Sequence, residues 1–198
     1  YYLLLIYGII YFLPFDFFKT FFINEDSFIE WLQFFGYFLA FLMSFFICFS
    51  KKKSFSKQKI YWLLLAIFCF CIAGEEISWG ERITGVGIDS ISNLNVQGET
   101  NIHNLPFFHN YLLDPVFEIG CIFLGWFGWR KFPKITAFPG QKLSLFFLFV
   151  ALFYFYFDIS WASTTQQIRN DQEIFELLLS SGLFIHCWSF LRKKSKIK

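Results

Sequence analysis

The chain has 198 residues, of which 56% are hydrophobic and 16% are charged, and its formal net charge is +2. The apolar residues form long runs that a soluble domain of this length would expose to water, so the composition predicts a membrane protein. The small net charge and the short basic clusters beside apolar segments favour lipid head groups as neighbours and give no support to a nucleic-acid partner.

Six segments approach the ~20 residues that cross a hydrocarbon core of ~30 Å. They are residues 1–18, 28–50, 60–79, 112–129, 142–162 and 173–191. The sequence therefore predicts an all-α fold, a polytopic transmembrane bundle of about six helices, with a polar outer loop between helices 3 and 4. Residues 1–198 are predicted to form a single integral membrane domain. Its first segment, apolar from Tyr1 onward, is expected to be an uncleaved anchor or a helix that begins before this numbering.

The orientation is predicted from the distribution of basic residues. Of the 17 Lys and Arg residues, 14 lie in three stretches, residues 51–59, 130–142 and 192–198. These stretches fall on one side of a six-helix path, and the positive-inside rule assigns that side to the cytoplasm. Both termini are then expected to be cytoplasmic.

Acidic residues recur at one depth in four of the segments. Each lies 16 residues from a basic boundary residue, which corresponds to ~24 Å of helix, and the four are Glu75, Asp114, Asp158 and Glu176. One hypothesis is that these acids converge on a cavity near the outer face; the alternative is that each meets the outer head groups separately. Further acids favour convergence, because Glu76, Glu118 and Glu173 lie close to them along the chain.

Polar residues continue past Glu75 at the spacing of one helix face. The spacing is i, i+3, i+4 and i+7, and the residues are Glu75, Ser78, Trp79 and Arg82. This stripe predicts either a polar cavity wall or an ion pair that locks helices together, with Arg82 bound to a glutamate. Gly74 and Gly80 are expected to let a neighbouring helix approach closely.

The segment that follows alternates polar and other residues. Every second position is polar, at Asn93, Asn95, Gln97, Glu99, Asn101 and His103. An extended chain would place all six on one face, and Gly98 and the asparagines favour an extended or irregular outer loop over the carboxylates. A solvated loop without chemistry is the alternative. In a helix, Glu99 and His103 would be neighbours able to share a metal or a proton.

These patterns define the candidate site. The candidate catalytic residues are Glu75, Glu76, Glu99, His103, Asp158 and Glu176. The candidate substrate-binding residues are Ser78, Trp79, Arg82, Asn95, Gln97, Asn101, Asn104 and Arg169, of which Arg169 comes from the predicted outer loop after the fifth helix. A divalent metal, Mg, Mn, Ca or Zn, is expected to use Glu76, Glu99 and His103. His186 is placed near the inner face, away from this site.

Two parts of the sequence carry a resemblance. Residues 74–82, GEEISWGER, and residues 95–104, NVQGETNIHN, resemble a group of bacterial multi-pass membrane proteins of uncharacterised activity. The resemblance implies a bacterial inner-membrane location. A looser similarity is to the alkaline-ceramidase-like membrane hydrolases, which implies Ser78, Asp158 and His103 around a zinc ion, although the histidine-pair motif of that family's late helix is absent here.

Three functions remain open. The first is a metal-dependent hydrolase or transferase that acts on a lipid or lipid-linked substrate from the outer side. The second is a non-enzymatic scaffold or complex subunit whose buried ion pairs are structural. The third is a proton- or ion-coupled transporter, which the nearly uniform apolar character of the inner helix halves disfavours.

Overall fold

A computed structural model of the chain describes residues 5, 28–50, 56–95, 98–102, 105–107, 113–156 and 166–195. Within these ranges the regular structure is helical and contains no strand, which confirms the prediction of an all-α fold. We label five helices α1 (Phe28–Phe49), α2 (Lys57–Glu76), α3 (Leu113–Ile122), α4 (Ser144–Tyr154) and α5 (Gln166–Ser195). A π-helical turn, Phe123–Phe127, and a short helix, Gly128–Lys131, extend α3.

The described residues include three helices that are long and apolar enough to cross a membrane. They are Phe28–Phe49, Lys57–Glu76 and, within α5, Gln172–Lys193, with mean hydropathies of 1.4 to 2.0. The fourth predicted segment is helical with a π-helical turn inside it, the fifth is helical as far as it is described, to residue 156, and the first lies outside the described residues apart from Leu5. A bundle of about six membrane helices therefore stays a prediction.

Each long helix buries one stripe of side chains and exposes the rest. On α1 the buried positions recur every three or four residues, from Gln33 through Tyr37, Ala40 and Ser44 to Ile47, which is the spacing of a single helix face. The remaining faces of α1 and α2 carry large apolar side chains that are exposed, among them Phe35, Leu39, Leu42, Phe46, Leu64 and Ile67. An exposed apolar belt of this kind suits hydrocarbon better than water.

The helices pack in a defined order. Helix α1 lies between α2 and α5, and α5 also packs against α4, which in turn contacts α3. Small residues mark the close approaches, because a Cβ atom at Gly36 would lie 3.0 Å from Ser180 Oγ and one at Gly182 would lie 2.8 Å from Phe146 Cβ. Small residues at such contacts are how membrane helices pack without a hydrophobic driving force.

The two ends of the bundle have opposite character. At the basic end, Gln58 of α2 donates a hydrogen bond to the carbonyl of Lys134, and Trp62 stacks on His186 at 5.5 Å. At the acidic end, Gln33 of α1 binds Glu173 of α5. The described parts of the three basic stretches, residues 56–59, 130–142 and 192–195, thus approach one end, as the sequence predicts, and His186 lies there with them.

One prediction about α5 is wrong. The sequence predicts Arg169 in an outer loop, but α5, described from Gln166 to Ser195, includes it. The prediction was based on hydropathy, which locates the part of a helix that lies in hydrocarbon. The helix itself extends further, because its backbone hydrogen bonds continue into the polar residues.

Candidate functional site

The acidic end is organised by a sharp turn after α2. The helix ends at Glu76, and Ser78 and Trp79 adopt φ values of 46° and 53°, followed by Gly80 at 97°. Left-handed backbone at two consecutive non-glycine residues is strained and occurs where surrounding contacts enforce it. The prediction that a single helical stripe runs from Glu75 to Arg82 is therefore wrong, because the helix axis is broken inside it.

Trp79 folds back onto the helix that it follows. Its indole Nε1 donates to Glu75 Oε1, and its ring covers Gly74, where a Cβ atom would lie 3.0 Å away. Gly74 therefore makes room for Trp79, and Gly80 supplies a left-handed turn; the expectation that both admit a neighbouring helix is wrong. The other Glu75 oxygen accepts a hydrogen bond from the Ile102 amide at 2.7 Å, so Glu75 fastens the loop.

Arg82 forms the centre of a network of charges and amides. Its guanidinium is ion-paired with Glu30 of α1 and lies 3.5 Å from Glu99 Oε2. The same Glu99 oxygen accepts hydrogen bonds from Ser78 Oγ at 2.7 Å and from Asn101 Nδ2 at 2.8 Å. We call these five residues the Arg82 network; the sequence predicted the pairing of Arg82 with a glutamate but not the partner on α1.

A turn brings the polar loop residues of this network together. Gly98 has a φ of 76°, which reverses the chain, and Asn95 Nδ2 donates to the carbonyl and to Oδ1 of Asn101 at 2.9 and 2.6 Å. The described part of the loop is thus irregular and packed against the helix ends, as one of the sequence hypotheses expected. Its side chains converge by turning and not by strand alternation.

A second contact fixes the start of the loop. Thr100 donates its amide to Glu81 Oε2 at 2.6 Å and accepts the Ile88 amide on its hydroxyl at 2.7 Å. A Cβ atom at Gly87 would lie 2.5 Å from Glu81 Oε1 and 2.8 Å from Thr100 Oγ1. A larger residue at position 87 would therefore clash with Glu81 and Thr100 and prevent the loop from docking.

Deeper in the bundle lies a second group, which we call the Glu76 cluster: Gln33, Tyr37, Glu76, Glu173 and Glu176. Gln33 Nε2 donates to the carbonyl and to Oε2 of Glu173 at 2.8 and 2.9 Å. Glu176 Oε1 accepts from Tyr154 at 2.6 Å and from Gln172 at 2.9 Å. Two of the three carboxylates are therefore held in position by neutral donors.

Glu76 differs from Glu173 and Glu176 in its contacts. Glu76 is half-buried, no donor among the described residues forms a hydrogen bond or ion pair with its carboxylate, and the charged groups near enough to act on it are Glu176, Glu173, Glu30 and Arg82. Two buried atoms that face this cluster also have no hydrogen-bond partner in the described part of the chain: Gln33 Oε1 and the hydroxyl of Tyr37. A charged group placed this way costs free energy unless a proton or a cation compensates it.

The predicted site residues fall in two groups. The structure places Glu75, Glu76, Ser78, Trp79, Arg82, Asn95, Glu99, Asn101 and Glu176 at the acidic end. Gln97, His103, Asn104 and Asp158 lie outside the described residues, as does the side chain of Arg169. No group of three or more His, Cys, Asp or Glu side chains within the described ranges is close enough to hold a metal ion, so the site of Glu76, Glu99 and His103 stays a prediction.

Sequence reasoning missed the contribution of α1. Glu30, Gln33 and Tyr37 are buried, with Gln33 and Tyr37 0% exposed, and they supply partners to both networks. Their spacing of i, i+3 and i+7 on an otherwise apolar helix was a usable signal, because it places three polar groups on one face. Tyr154 and Gln172 were missed because each lies beside an apolar run and looks like an interfacial residue.

Comparison with known proteins identifies no relative: no family model matches the chain, and neither a curated protein nor a solved structure matches it.

Proposed function

We propose that the chain is a multi-pass membrane protein whose acidic end carries out hydrolysis or group transfer on a lipid or lipid-linked molecule. The observation that supports this is the placement of Glu76, a carboxylate without a hydrogen bond among the described residues, beside two glutamates that are fixed by neutral donors. Glu76 is half-buried, and a fold that needed only helix packing would pair this charge or replace it, since a charge withdrawn from water without a partner destabilises the protein.

The chemistry that suits this arrangement is general acid–base catalysis. Glu76 takes the proton of an attacking water or hydroxyl as its oxygen bonds to the substrate, and it returns that proton to the leaving group as the bond between substrate and leaving group breaks. Glu176, which Tyr154 and Gln172 hold in place, orients the polar part of the substrate. The Arg82 network keeps the polar loop over the site. A divalent metal held by Glu76, Glu99 and His103 would supply a Lewis acid to the same reaction.

The orientation is part of the same proposal. The basic end carries the stretches that the positive-inside rule assigns to the cytoplasm, so the acidic end faces outward. The resemblance of residues 74–82 and 95–104 to bacterial membrane proteins supports a bacterial inner membrane as the location. Lipids that enter sideways from the outer leaflet are the substrates nearest to such a site.

The test is lipid turnover in vesicles. The full chain is reconstituted into vesicles of phosphatidylethanolamine, phosphatidylglycerol and cardiolipin, and lipid products are followed by mass spectrometry. We expect turnover that Glu76→Gln reduces by about 100-fold or more, the usual contribution of a general base. Glu118→Gln is the control, because Glu118 lies on α3 outside both networks. Absence of turnover, or turnover that Glu76→Gln leaves unchanged, contradicts the proposal.

A scaffold function is the second candidate, and the Arg82 network favours it. Arg82 is bound to Glu30 and Glu99, and Glu99 is also bound to Ser78 and Asn101. A network whose polar groups bind one another in this way is expected to hold helices and loop together. The same experiment separates the two functions, because a scaffold shows no turnover in any vesicle.

A further inference from the structure

The polar side chains of the loop that follows α2 face inward. Ser78, Thr100 and Asn101 are only 0 to 3% exposed, and each takes part in the hydrogen bonds that dock the loop. A loop that lies in water usually has the reverse arrangement, with polar side chains outward and apolar ones covered. The outer surface of this loop therefore differs from the polar surface that its composition predicts.

The side chains on the outer surface of the same loop are mostly large and apolar. Soluble proteins rarely expose such a set of side chains unless it contacts something apolar. We call the five residues of this set, which are 41 to 75% exposed, the apolar loop residues: Ile83, Val86, Ile88, Leu94 and Ile102.

The loop begins at the level of the first turn of a membrane helix. Arg82 is ion-paired with Glu30, and Glu30 lies in the first turn of α1, whose membrane-length segment is Phe28–Phe49. The ring of Trp79 lies 6.0 Å from that of Phe70, which is exposed on the outer surface of α2. The exposed apolar belt of α1 and α2 thus continues into the loop.

The loop forms hydrogen bonds to its own backbone amides. The amides of Val86 and Ile88 donate to the hydroxyls of Thr84 and Thr100, and those of residues 91 to 95 donate to carbonyls three or four positions earlier. The amides at positions 85, 98, 100 and 102 are bound as well. Backbone groups next to hydrocarbon need partners within the protein, because water is scarce there. These amides therefore meet the requirement for contact with lipid.

The charges of the loop are compatible with the same environment. Among the described residues from 78 to 102, Asp89 alone combines a charge with an exposed side chain. A carboxylate costs little at the edge of a membrane, where it reaches the head groups and their water. The loop therefore has an apolar outer surface with one charged point, which is the character of a segment at the boundary between head groups and acyl chains.

We propose that the outer surface of this loop is a lipid-contact surface, with the apolar loop residues inserted among the acyl chains of the leaflet at the acidic end and Asp89 among the head groups. A second copy of the chain could also cover apolar side chains. Lipid is favoured because the surface continues the belt of α1 and α2 and because the backbone amides are bound internally. The inference concerns the outside of the loop and does not depend on the proposed chemistry of Glu76.

The first test is fluorescence quenching in nanodiscs, in which both faces of the membrane are accessible. Val86→Cys and Leu94→Cys carry an environment-sensitive fluorophore, in a Cys71→Ser background that removes the exposed cysteine of the described residues. We expect spin-labelled acyl chains to quench both probes, and iodide to quench them several-fold less than a probe at the exposed Lys134 of the basic end. A probe at Leu64, 56% exposed on α2, is the matched control for lipid contact.

The second test uses the unaltered chain, so it applies even if a probe displaces the loop. A lipid with a photoactivated carbene precursor in its acyl chain is added to the nanodiscs, and labelled peptides are mapped by mass spectrometry. We expect labels on residues 83–94 as well as on the outer faces of α1 and α2. Neither test requires lipid turnover, so failure of the proposed function would leave this inference in place.

Two results would overturn the inference. Quenching of the Val86 and Leu94 probes by iodide to the extent seen at Lys134, with photolabels confined to the helices, shows that the loop lies in water. Protection of both probes from iodide and from spin-labelled lipid, again without photolabels on the loop, shows that a second copy or another segment of the protein covers it.

Discussion

Replacing Glu76 and Glu99 by glutamine should change stability in opposite directions, although both residues lie at the acidic end. Glu99 Oε2 accepts hydrogen bonds from Ser78 and Asn101 and lies 3.5 Å from Arg82 Nη2. Hydrogen bonds to charged groups contribute ~1.5–3 kcal/mol each. Glu99→Gln keeps the acceptor and removes the charge, so we expect it to lower the free energy of unfolding by about 2 kcal/mol.

Glu76→Gln removes a charge that its neighbours repel. Glu176, Glu173 and Glu30 act on it unfavourably, and no described donor binds it. A carboxylate that has no partner and lies among like charges does not stabilise the fold, so replacing it by a neutral amide of the same shape is expected to be neutral or stabilising. We therefore expect this variant to be at least as stable as the parent and about 2 kcal/mol more stable than Glu99→Gln, from the two estimates above.

Thermal unfolding in detergent measures both effects. A difference of 1 kcal/mol corresponds to ~2–4 °C in Tm for a chain of this size, so the two variants should differ by about 4–8 °C. Glu118→Gln, outside both networks, should remain within ~0.5 kcal/mol of the parent, as surface substitutions do. If Glu76→Gln lowers Tm as much as Glu99→Gln does, Glu76 is a paired structural residue and the functional proposal loses its main observation.

Two further predictions concern topology and packing. A cysteine introduced at Gln58 should resist an impermeant thiol reagent added outside intact cells, whereas one at the exposed Asp89 should react; the reverse pattern refutes the orientation. Gly182→Leu should lower the free energy of unfolding by ~1–3 kcal/mol, as overpacking does, because its Cβ would lie 2.8 Å from Phe146 Cβ. Gly120→Leu, at an open position, should leave unfolding nearly unchanged, and equal Tm values for the two variants would contradict the packing at Gly182.

The sequence predicted the features that depend on polarity along the chain. Apolar runs identified the helices that the structure describes, and the basic stretches identified one end of the bundle, because partition between water and hydrocarbon acts on each segment separately. The sequence also predicted that Glu99 would approach the end of α2, because a polar loop was expected to lie over the acidic ends of the helices. Each of these inferences needs only the composition of a segment and its distance from a boundary.

The features that the sequence did not predict depend on contacts between distant segments. The left-handed backbone at Ser78 and Trp79 is stabilised by the Ser78–Glu99 hydrogen bond and by packing of Trp79 on Gly74. Gly80 is a poor helix former, but local propensity does not show that the backbone turns at Ser78 and Trp79, so the position of the break follows from the tertiary contacts. The pairing of Arg82 with Glu30 joins residues 52 positions apart and required knowing that α1 lies beside the turn.

The separation of the two networks explains how the fold can tolerate the Glu76 cluster. Arg82 is engaged by Glu30 and Glu99, so its charge holds the polar loop against α1 and is only weakly available to Glu76. Under the proposed function, Glu30 and Glu99 contribute to stability, whereas Glu76 takes part in the chemistry. A ligand that brings a positive charge to Glu76 would relieve the repulsion from Glu173 and Glu176 without breaking the Arg82 network. Binding would therefore stabilise the bundle while leaving the loop docked, since a ligand that binds only the folded state adds its binding free energy to the free energy of unfolding.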